Sequence, residues 1–401
     1  MNTVETQCCI AGGGPAGIMA GLLLARAGVK VTVLEKHADF LRDFRGDTVH
    51  PSSLDVLGEL GYLDDFLKLP HQELSRIRAH FGAAEFTIAD FTHLSTRRKF
   101  IAFMPQWEFL DFLIDKARAF PAFSLRMNTE ATDLIEENGH IVGVRTQSHD
   151  GPLEVRAPLT IAADGRHSTL RARSGLRVHD VGAPMDVVWL RLPRLASDPE
   201  QSLGWVQRGR FLALIERGDY WQIAFVIHKG GFDELKQGGI DGFRRELARV
   251  VPFFADRVEH LRSFDDVSLL VVTVDRLERW WRPGLLCIGD AAHAMSPVGG
   301  VGINLAIQDA VAAANILAKP LAGDAVSAAD LARVQRRRTF PTRVTQAMQV
   351  TIQNRFLKGV IAGKKPVQAG VGLKTLGRTP FMQHLLARFV GVGVRPEHVA
   401  T

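Results

Sequence analysis

Gln7-Cys8-Cys9-Ile10-Ala11, followed by Gly12-Gly13-Gly14-Pro15-Ala16-Gly17, joins a short apolar run to a glycine-rich turn, and a helical pattern over residues 18–27 comes next. Gly12, Gly14 and Gly17 have the spacing G-x-G-x-x-G. Between a strand and a helix, the first glycine makes the turn, the second lets backbone approach a pyrophosphate, and the third lets the helix pack on the strand. Residues 29–34 predict the next strand, which ends on Glu35, 18 residues after Gly17. A carboxylate there can hydrogen-bond a ribose hydroxyl pair and would repel a 2′-phosphate, so the turn is expected to hold FAD or NAD rather than NADP. A glycine turn without ligand is the alternative, and the combination of strand, helix and acid weighs against it.

The same logic of strand, glycine turn and helix recurs twice. Residues 159–163 read as a strand running into Asp164-Gly165-Arg166-His167-Ser168, with Arg171 and Arg173 beyond. Residues 285–288 run into Gly289-Asp290-Ala291-Ala292-His293, then Pro297 and Gly299-Gly300-Val301-Gly302-Ile303-Asn304, before a helix over 305–317. A helix start of this kind offers free N–H groups and a positive dipole end, which suits a reduced, anionic flavin. Asp290, at a strand end, can accept hydrogen bonds from ribityl hydroxyls. His167 and His293 lack metal-ligand spacing and read as structural, and no metal site is expected.

The chain has 401 residues, 46% hydrophobic and 23% charged, which excludes a disordered or collagen-like protein. Single cores stop growing at roughly 250–300 residues, so two lobes or a large insertion are expected. The uncharged run 6–25 is long enough to span a membrane, but its clustered glycines and Pro15 break such a helix, and no basic stretch precedes it. Neither secretion nor membrane insertion is expected. Adjacent Cys8 and Cys9, with Cys287, build no disulfide framework and fit a reducing cytoplasm.

The net charge of +6 is unevenly spread. Residues 331–401 hold 13 Lys and Arg, including Arg336-Arg337-Arg338 and Lys364-Lys365, against the single acid Glu397; residues 1–330 hold 36 bases and 42 acids. The basic segment reads as helices over 330–358 and 380–390. Phe356, Leu357, Val360, Phe381, Leu385 and Phe389 are expected to pack on the rest of the protein with the arginines outward. Peripheral contact with an anionic membrane or an acidic carrier protein is the sharper reading. No nucleic-acid motif accompanies the charge, so nucleic acid is not expected as a partner.

Between the second and third glycine motifs, alternating β-branched and aromatic residues predict strands over 186–192, 204–208, 211–216 and 220–227, a helix over 242–250 and a return strand over 267–274. Trp189, Trp205, Trp221 and Phe225 lie in this segment. They line a pocket for a bulky aromatic or polycyclic ligand, or fill a core.

The three motifs in order, with Glu35, make the chain resemble the FAD-dependent aromatic hydroxylases of the para-hydroxybenzoate hydroxylase type, the single-component flavoprotein monooxygenases, over residues 5–345. The resemblance implies an α/β fold: a Rossmann-like FAD-binding domain (1–75, 98–181 and 270–325) with an inserted, mostly antiparallel β-sheet substrate domain (76–97 and 182–269) and C-terminal helices (326–401). It implies that Gly12, Gly14, Ala16 and Gly17 cradle the FAD pyrophosphate and that Glu35, with Lys36 beside it, meets the adenosine ribose. Arg45 would reach the phosphates and flavin, Gln106 the ribityl-phosphate region, and backbone at Ala131 the adenine. Asp164 would serve FAD and reduced nicotinamide, Asp290 the ribityl chain, and Pro297 with Gly300, Val301, Gly302, Ile303 and Asn304 the flavin ring. A surface arginine, a helix cap and a turn-stabilising acid are the alternatives for Arg45, Gln106 and Asp164. The implied chemistry uses NADH or NADPH as a transient reductant and O2. A flavin C4a-hydroperoxide then hydroxylates an aromatic or polycyclic small molecule. A same-fold reductase or dehydrogenase, or a non-catalytic FAD-binding module, is the alternative. The family's phenol-activating tyrosines have no counterpart in a chain whose tyrosines are Tyr62 and Tyr220, which leaves Tyr220 or His228 as candidate catalytic, substrate-orienting groups against a plain sheet role.

Overall fold

Strands Cys8–Ala11, Val31–Leu34 and Leu159–Ala162 are buried at every position, as strands covered on both faces must be, which is why they read as unbroken apolar runs. They form the centre of a six-stranded sheet in a computed structural model that describes residues 2–41, 48–82, 84–199, 203–207, 209–323, 325–354 and 379–400. The order is Trp281–Arg282, Leu285–Cys287, Leu159–Ala162, Cys8–Ala11, Val31–Leu34, Phe123–Arg126, parallel except at the first pair. Helix Pro15–Arg26 is buried from Ala16 through Ala25, wedged against this sheet and against helices Gln106–Ala117 and Gly302–Ala322. All three glycine motifs leave the carboxyl ends of neighbouring parallel strands, the edge where ligands gather in such sheets. Cys8, Cys9 and Cys287 are free and fully buried, and burial pushes the Cys9 thiol up to about 12.

A second sheet of seven strands runs Ser268–Leu270, Met185–Pro193, Tyr220–His228, Arg210–Glu216, Leu203–Gln207, Arg76–Phe81, Ala84–Asp90, antiparallel except between Leu203–Gln207 and Arg76–Phe81. Strand alternation sorts its side chains. One face sends Val188, Leu190, Leu212, Leu214, Trp221, Ile223 and Phe225 into a core shared with Phe243 and Leu247 of helix Gly239–Val250. The opposite face carries Val187, Trp189, Phe211, Ala213, Ala224 and Val226, packed with Val298 and Val350. The fold is therefore α/β, a nucleotide-binding parallel sheet joined to a mostly antiparallel one, with helices at the C-terminal end.

Three expectations need correction. The return strand stops at Leu270 because side chains take over the ladder: Asp186 Oδ1 accepts Val272 N at 2.9 Å, and Lys229 Nζ donates to Val272 O at 2.6 Å. Helix Ala328–Ile352 does not turn all its arginines outward, since Arg338 is 1% exposed. On helix Pro380–Gly391, Phe381 and Leu385 are exposed at 71% and 52% rather than packed. Phe356, Leu357, Val360, Lys364 and Lys365 lie outside the described residues. Among those residues one helix, Val298–Ala322, is apolar and long enough to cross a membrane, and 78% of its apolar window is buried in the protein's own core.

Candidate functional site

Gly12 has φ +108°, a backbone region side chains rarely adopt. A Cβ at Gly12 would stand 2.3 Å from Ala163 O and one at Gly17 would stand 1.9 Å from Gly12 O, so backbone contact requires both glycines. At Gly14 a Cβ would meet nothing within 4 Å. Gly14 precedes helix Pro15–Arg26, and no side chain caps that end. The first-turn N–H groups, which lack intrahelical acceptors, thus lie at an open, uncapped terminus that fits a diphosphate. Glu35, 9% exposed, stands beside it: Oε2 accepts Gly13 N at 3.0 Å, and Oε1 accepts His37 N at 3.0 Å with His37 Nδ1 at 2.5 Å.

Ala131 is close to this end of the sheet, because Thr129 N bonds Glu35 O at 2.8 Å and strand Thr129–Glu137 continues from there. Lys36 is exposed and 3.9 Å from Glu130. Gln106 opens helix Gln106–Ala117 but is not its cap; that position belongs to Pro105, and no side chain bonds there. Arg45 lies outside the described residues.

The second motif is used mainly on itself. Asp164 Oδ1 accepts Ser168 Oγ at 2.5 Å and Oδ2 accepts Leu170 N at 3.1 Å, tying the turn to the short helix Thr169–Arg173. Burial pushes the Asp164 carboxyl up, against these hydrogen bonds. Arg171 Nη2 donates to Arg166 O at 2.7 Å, and Arg166 reaches Asp290 at 3.4 Å, linking the second motif to the third. The Asp290 side chain is 28% exposed and therefore reachable.

The loop Pro297–Val301 turns through Gly299 and Gly300, both at positive φ, into helix Gly302–Ala322, whose start also lacks a side-chain cap. Distant residues hold this loop. Thr48 Oγ1 donates to Gly300 O at 3.1 Å, and His50 sits between Gly300 O (Nε2, 3.0 Å) and Val390 O (Nδ1, 2.8 Å). A neutral imidazole has one N–H, so it bonds one of these carbonyls at a time. Burial outweighs both carbonyls and pulls the His50 pKa down to about 4. Asn304 Oδ1 accepts Ser52 Oγ at 2.7 Å and Ser53 Oγ at 2.8 Å, so that side chain fastens helix Pro51–Glu59 and leaves backbone to line the site. Ile303 packs at the edge of the main core.

Behind the loop lies a buried charge network that sequence reading missed. Asp309 is 0% exposed; its Oδ2 accepts Gly289 N at 3.0 Å and meets His293 Nε2 at 2.6 Å, and its Oδ1 accepts Arg338 Nε at 2.9 Å. Arg338 Nη1 continues to Glu397 at 3.2 Å. His293 is thus structural, and Asp309 anchors the backbone of the Gly289-Asp290 turn. Burial raises the Asp309 carboxyl, but His293 and Arg338 outweigh it and hold the group below the usual carboxylate range.

Tyr220 and His228 occupy opposite ends of one strand, eight residues and roughly 26 Å apart. Tyr220 lies under the Arg191 guanidinium, 5.0 Å from its ring centre, and His228 is exposed and bonded to Glu234 at 2.9 Å. Trp221 and Phe225 are core residues: Trp221 Nε1 donates to Asp198 at 2.9 Å and Phe225 meets Phe243 edge-on. Trp205 bonds Val250 O and stacks on His80. Trp189 alone of the four faces the flavin-motif side, with Val298.

The open cradle at Gly14, its neighbouring acid and the second uncapped helix start fit FAD. Comparisons with known proteins agree. The FAD binding domain family matches residues 5–348. The chain is 33% identical to 6-methylpretetramide 4-monooxygenase of Streptomyces rimosus over 391 residues, covering 96% of this chain and 92% of that one. It is 24% identical to para-nitrophenol 4-monooxygenase of a Pseudomonas strain, with 82% of each chain covered. The solved structure of p-nitrophenol 4-monooxygenase PnpA from Pseudomonas putida superposes with a TM-score of 0.77 at 20% identity, over 96% of this chain and 97% of that one. The glycine cradle, the sheet order and these likenesses together place the chain in the FAD-dependent monooxygenases of the para-hydroxybenzoate hydroxylase type, with FAD as its cofactor.

Proposed function

We propose that this monooxygenase hydroxylates an aromatic or polycyclic small molecule, using O2 and NADH or NADPH, in the cytoplasm. The observation that carries this reading is the apolar sheet face of Val187, Trp189, Phe211, Ala213, Ala224 and Val226, which packs toward Val298 beside the flavin motif. Such a face takes a flat hydrophobic ligand and excludes water from the reacting atoms. The relatives named for a pretetramide and a nitrophenol act on ring compounds of this kind.

In this reading residues 76–97 and 182–269 form the substrate lobe, and the helices after 326 brace the flavin side. Backbone N–H groups at Gly14, Ala16 and Gly17 would hold the pyrophosphate, with Glu35 on the adenosine ribose, Lys36 and Ala131 nearby, and Gln106 and Arg45 reaching toward the phosphates. Asp290 would accept ribityl hydroxyls. Backbone at Gly300, Val301, Gly302, Ile303 and Asn304, at a helix start, would place positive potential at the edge of the flavin ring, with Pro297 shaping the loop. Bound FAD supplies the reduction and oxygen-activation chemistry. Of Tyr220 and His228, strand length lets at most one touch a given small ligand.

The basic C-terminal region supports docking to an acidic carrier protein or an anionic membrane. An open groove of about 840 Å³ there is lined by Arg279, Trp281, Arg336, Phe340 and Arg343.

The test follows NADH and NADPH oxidation by FAD-loaded protein, with and without phenols and fused-ring phenols, while oxygen uptake is recorded. Ring-dependent oxygen uptake with a hydroxylated product supports the reading. Turnover without oxygen would make the protein a reductase, and firm FAD binding without turnover a binding module.

A further inference from the structure

Outside the flavin site, Asp90, His93 and His384 bring one ligand atom each to within 4.8 Å of one another. Asp90 and His93 are three residues apart, and His384 comes from far along the chain. Asp90 ends the edge strand Ala84–Asp90 of the seven-stranded sheet, His93 follows it in a turn, and His384 lies on helix Pro380–Gly391, which packs along that strand. Beneath them Phe91, Leu94 and Ala387 are buried in one cluster, so the backbone frame is firm. The two imidazoles lie with ring centres 4.2 Å apart, and among the described residues neither has a hydrogen-bond partner. The carboxylate is already oriented: Thr92 N and Oγ1 donate to Asp90 Oδ1 at 2.9 and 2.6 Å, and Arg76 Nε donates to Oδ2 at 2.9 Å.

We propose that Asp90, His93 and His384 form a zinc site that clamps helix Pro380–Gly391 to the edge of the sheet. Two imidazole nitrogens and one carboxylate oxygen, with water in the fourth position, are a donor set that suits Zn2+. Tetrahedral ligands at zinc distances stand about 3.3 Å apart, a contraction that takes side-chain rotation of both the exposed His93 and the half-buried His384. Thr92 and Arg76 act as outer-shell partners that hold the carboxylate. The clamp has a consequence for the flavin motif, because the far end of the same helix presents Val390 O to His50, and Val390 packs on Met295, Val301 and Leu305. The expectation from spacing that no metal binds could not register this site, since His384 is 291 residues from His93.

The FAD-loaded protein, stripped with chelator, is titrated with zinc chloride by calorimetry, and Co2+ absorption in the visible reports coordination. One equivalent is expected to bind, weakened at least about tenfold by His93→Ala or by His384→Ala and removed in the double variant. Zinc should slow amide exchange across residues 380–391 in the parent protein and not in His93→Ala, a change in an exposed turn whose folding is checked by its thermal unfolding without zinc. Undiminished zinc affinity in the double variant, absence of binding at about 100 μM zinc, or unchanged exchange in the helix would overturn the proposal.

Discussion

The two helix starts proposed to hold FAD are built in opposite ways. The one at Pro15–Arg26 is local: Gly12 and Gly17 shape it, and its closest supports are the strand before it and Glu35 on the next. The one at Gly302–Ala322 is assembled from afar, by Thr48, His50, Ser52 and Ser53 on one side and Arg338, Val390 and Glu397 on the other. The first is a shape that backbone sterics enforce, while the second is a set of long-range bonds around a glycine loop. A local site should fail all at once when a glycine is filled. An assembled site should fail by degrees, and with pH.

The largest effect is expected at the local site. Gly17→Val would drive side-chain atoms into Gly12 O and cost more than about 3 kcal/mol, so little soluble flavoprotein should be recovered. Purification of yellow, stoichiometrically loaded Gly17→Val protein would show that the turn is not close-packed. At the assembled site, Arg338→Met removes the cation that Asp309 and Glu397 share and leaves Asp309 to His293 and Glu397 to Arg337, a loss of up to about 3 kcal/mol in thermal or urea unfolding. Asp309 is held below the ordinary carboxylate value, so its contribution is full above that value and lost as pH falls through the depressed one. The melting temperature of Arg338→Met should therefore depend less on pH at the acid end than that of the parent.

His50 gives a smaller, mid-acid signature. Its folded pKa of about 4 lies below the ordinary 6.5, so the unfolded chain binds the extra proton first, and stability present above pH 6.5 drains away toward pH 4. His50→Gln should cost about 1–2 kcal/mol near pH 7 and flatten that stretch of the stability profile. A profile as steep as the parent's would mean that His50 is not the group responsible. The smallest effects belong to single ligand contacts: Glu35→Arg and Asp290→Ala should each weaken FAD retention roughly tenfold, measured by flavin stoichiometry after gel filtration.

The contrast also explains what the sequence displayed. The cradle at Gly12–Gly17, Glu35 and the antiparallel strands around Tyr220 were legible because spacing and alternation are local signals. Arg338 was not, because one buried arginine in an Arg-Arg-Arg run looks like its neighbours, and only Asp309 and Glu397, 29 and 59 residues away, distinguish it. Strand alternation separates Trp189 from Trp221, but which face meets the flavin motif depends on Val298, more than 70 residues further on. Asp164 bonds Ser168 and Leu170 within its own short turn, contacts that a local spacing can foreshadow.

The central claim is that this cradle and its apolar sheet face serve oxygen insertion. Turnover of a ring substrate under 18O2, with the product read by mass spectrometry, tests it most directly. The account predicts one labelled oxygen atom in the product and one NAD(P)H consumed per turnover in the coupled reaction; oxygen derived from water, or equal turnover without O2, would contradict it.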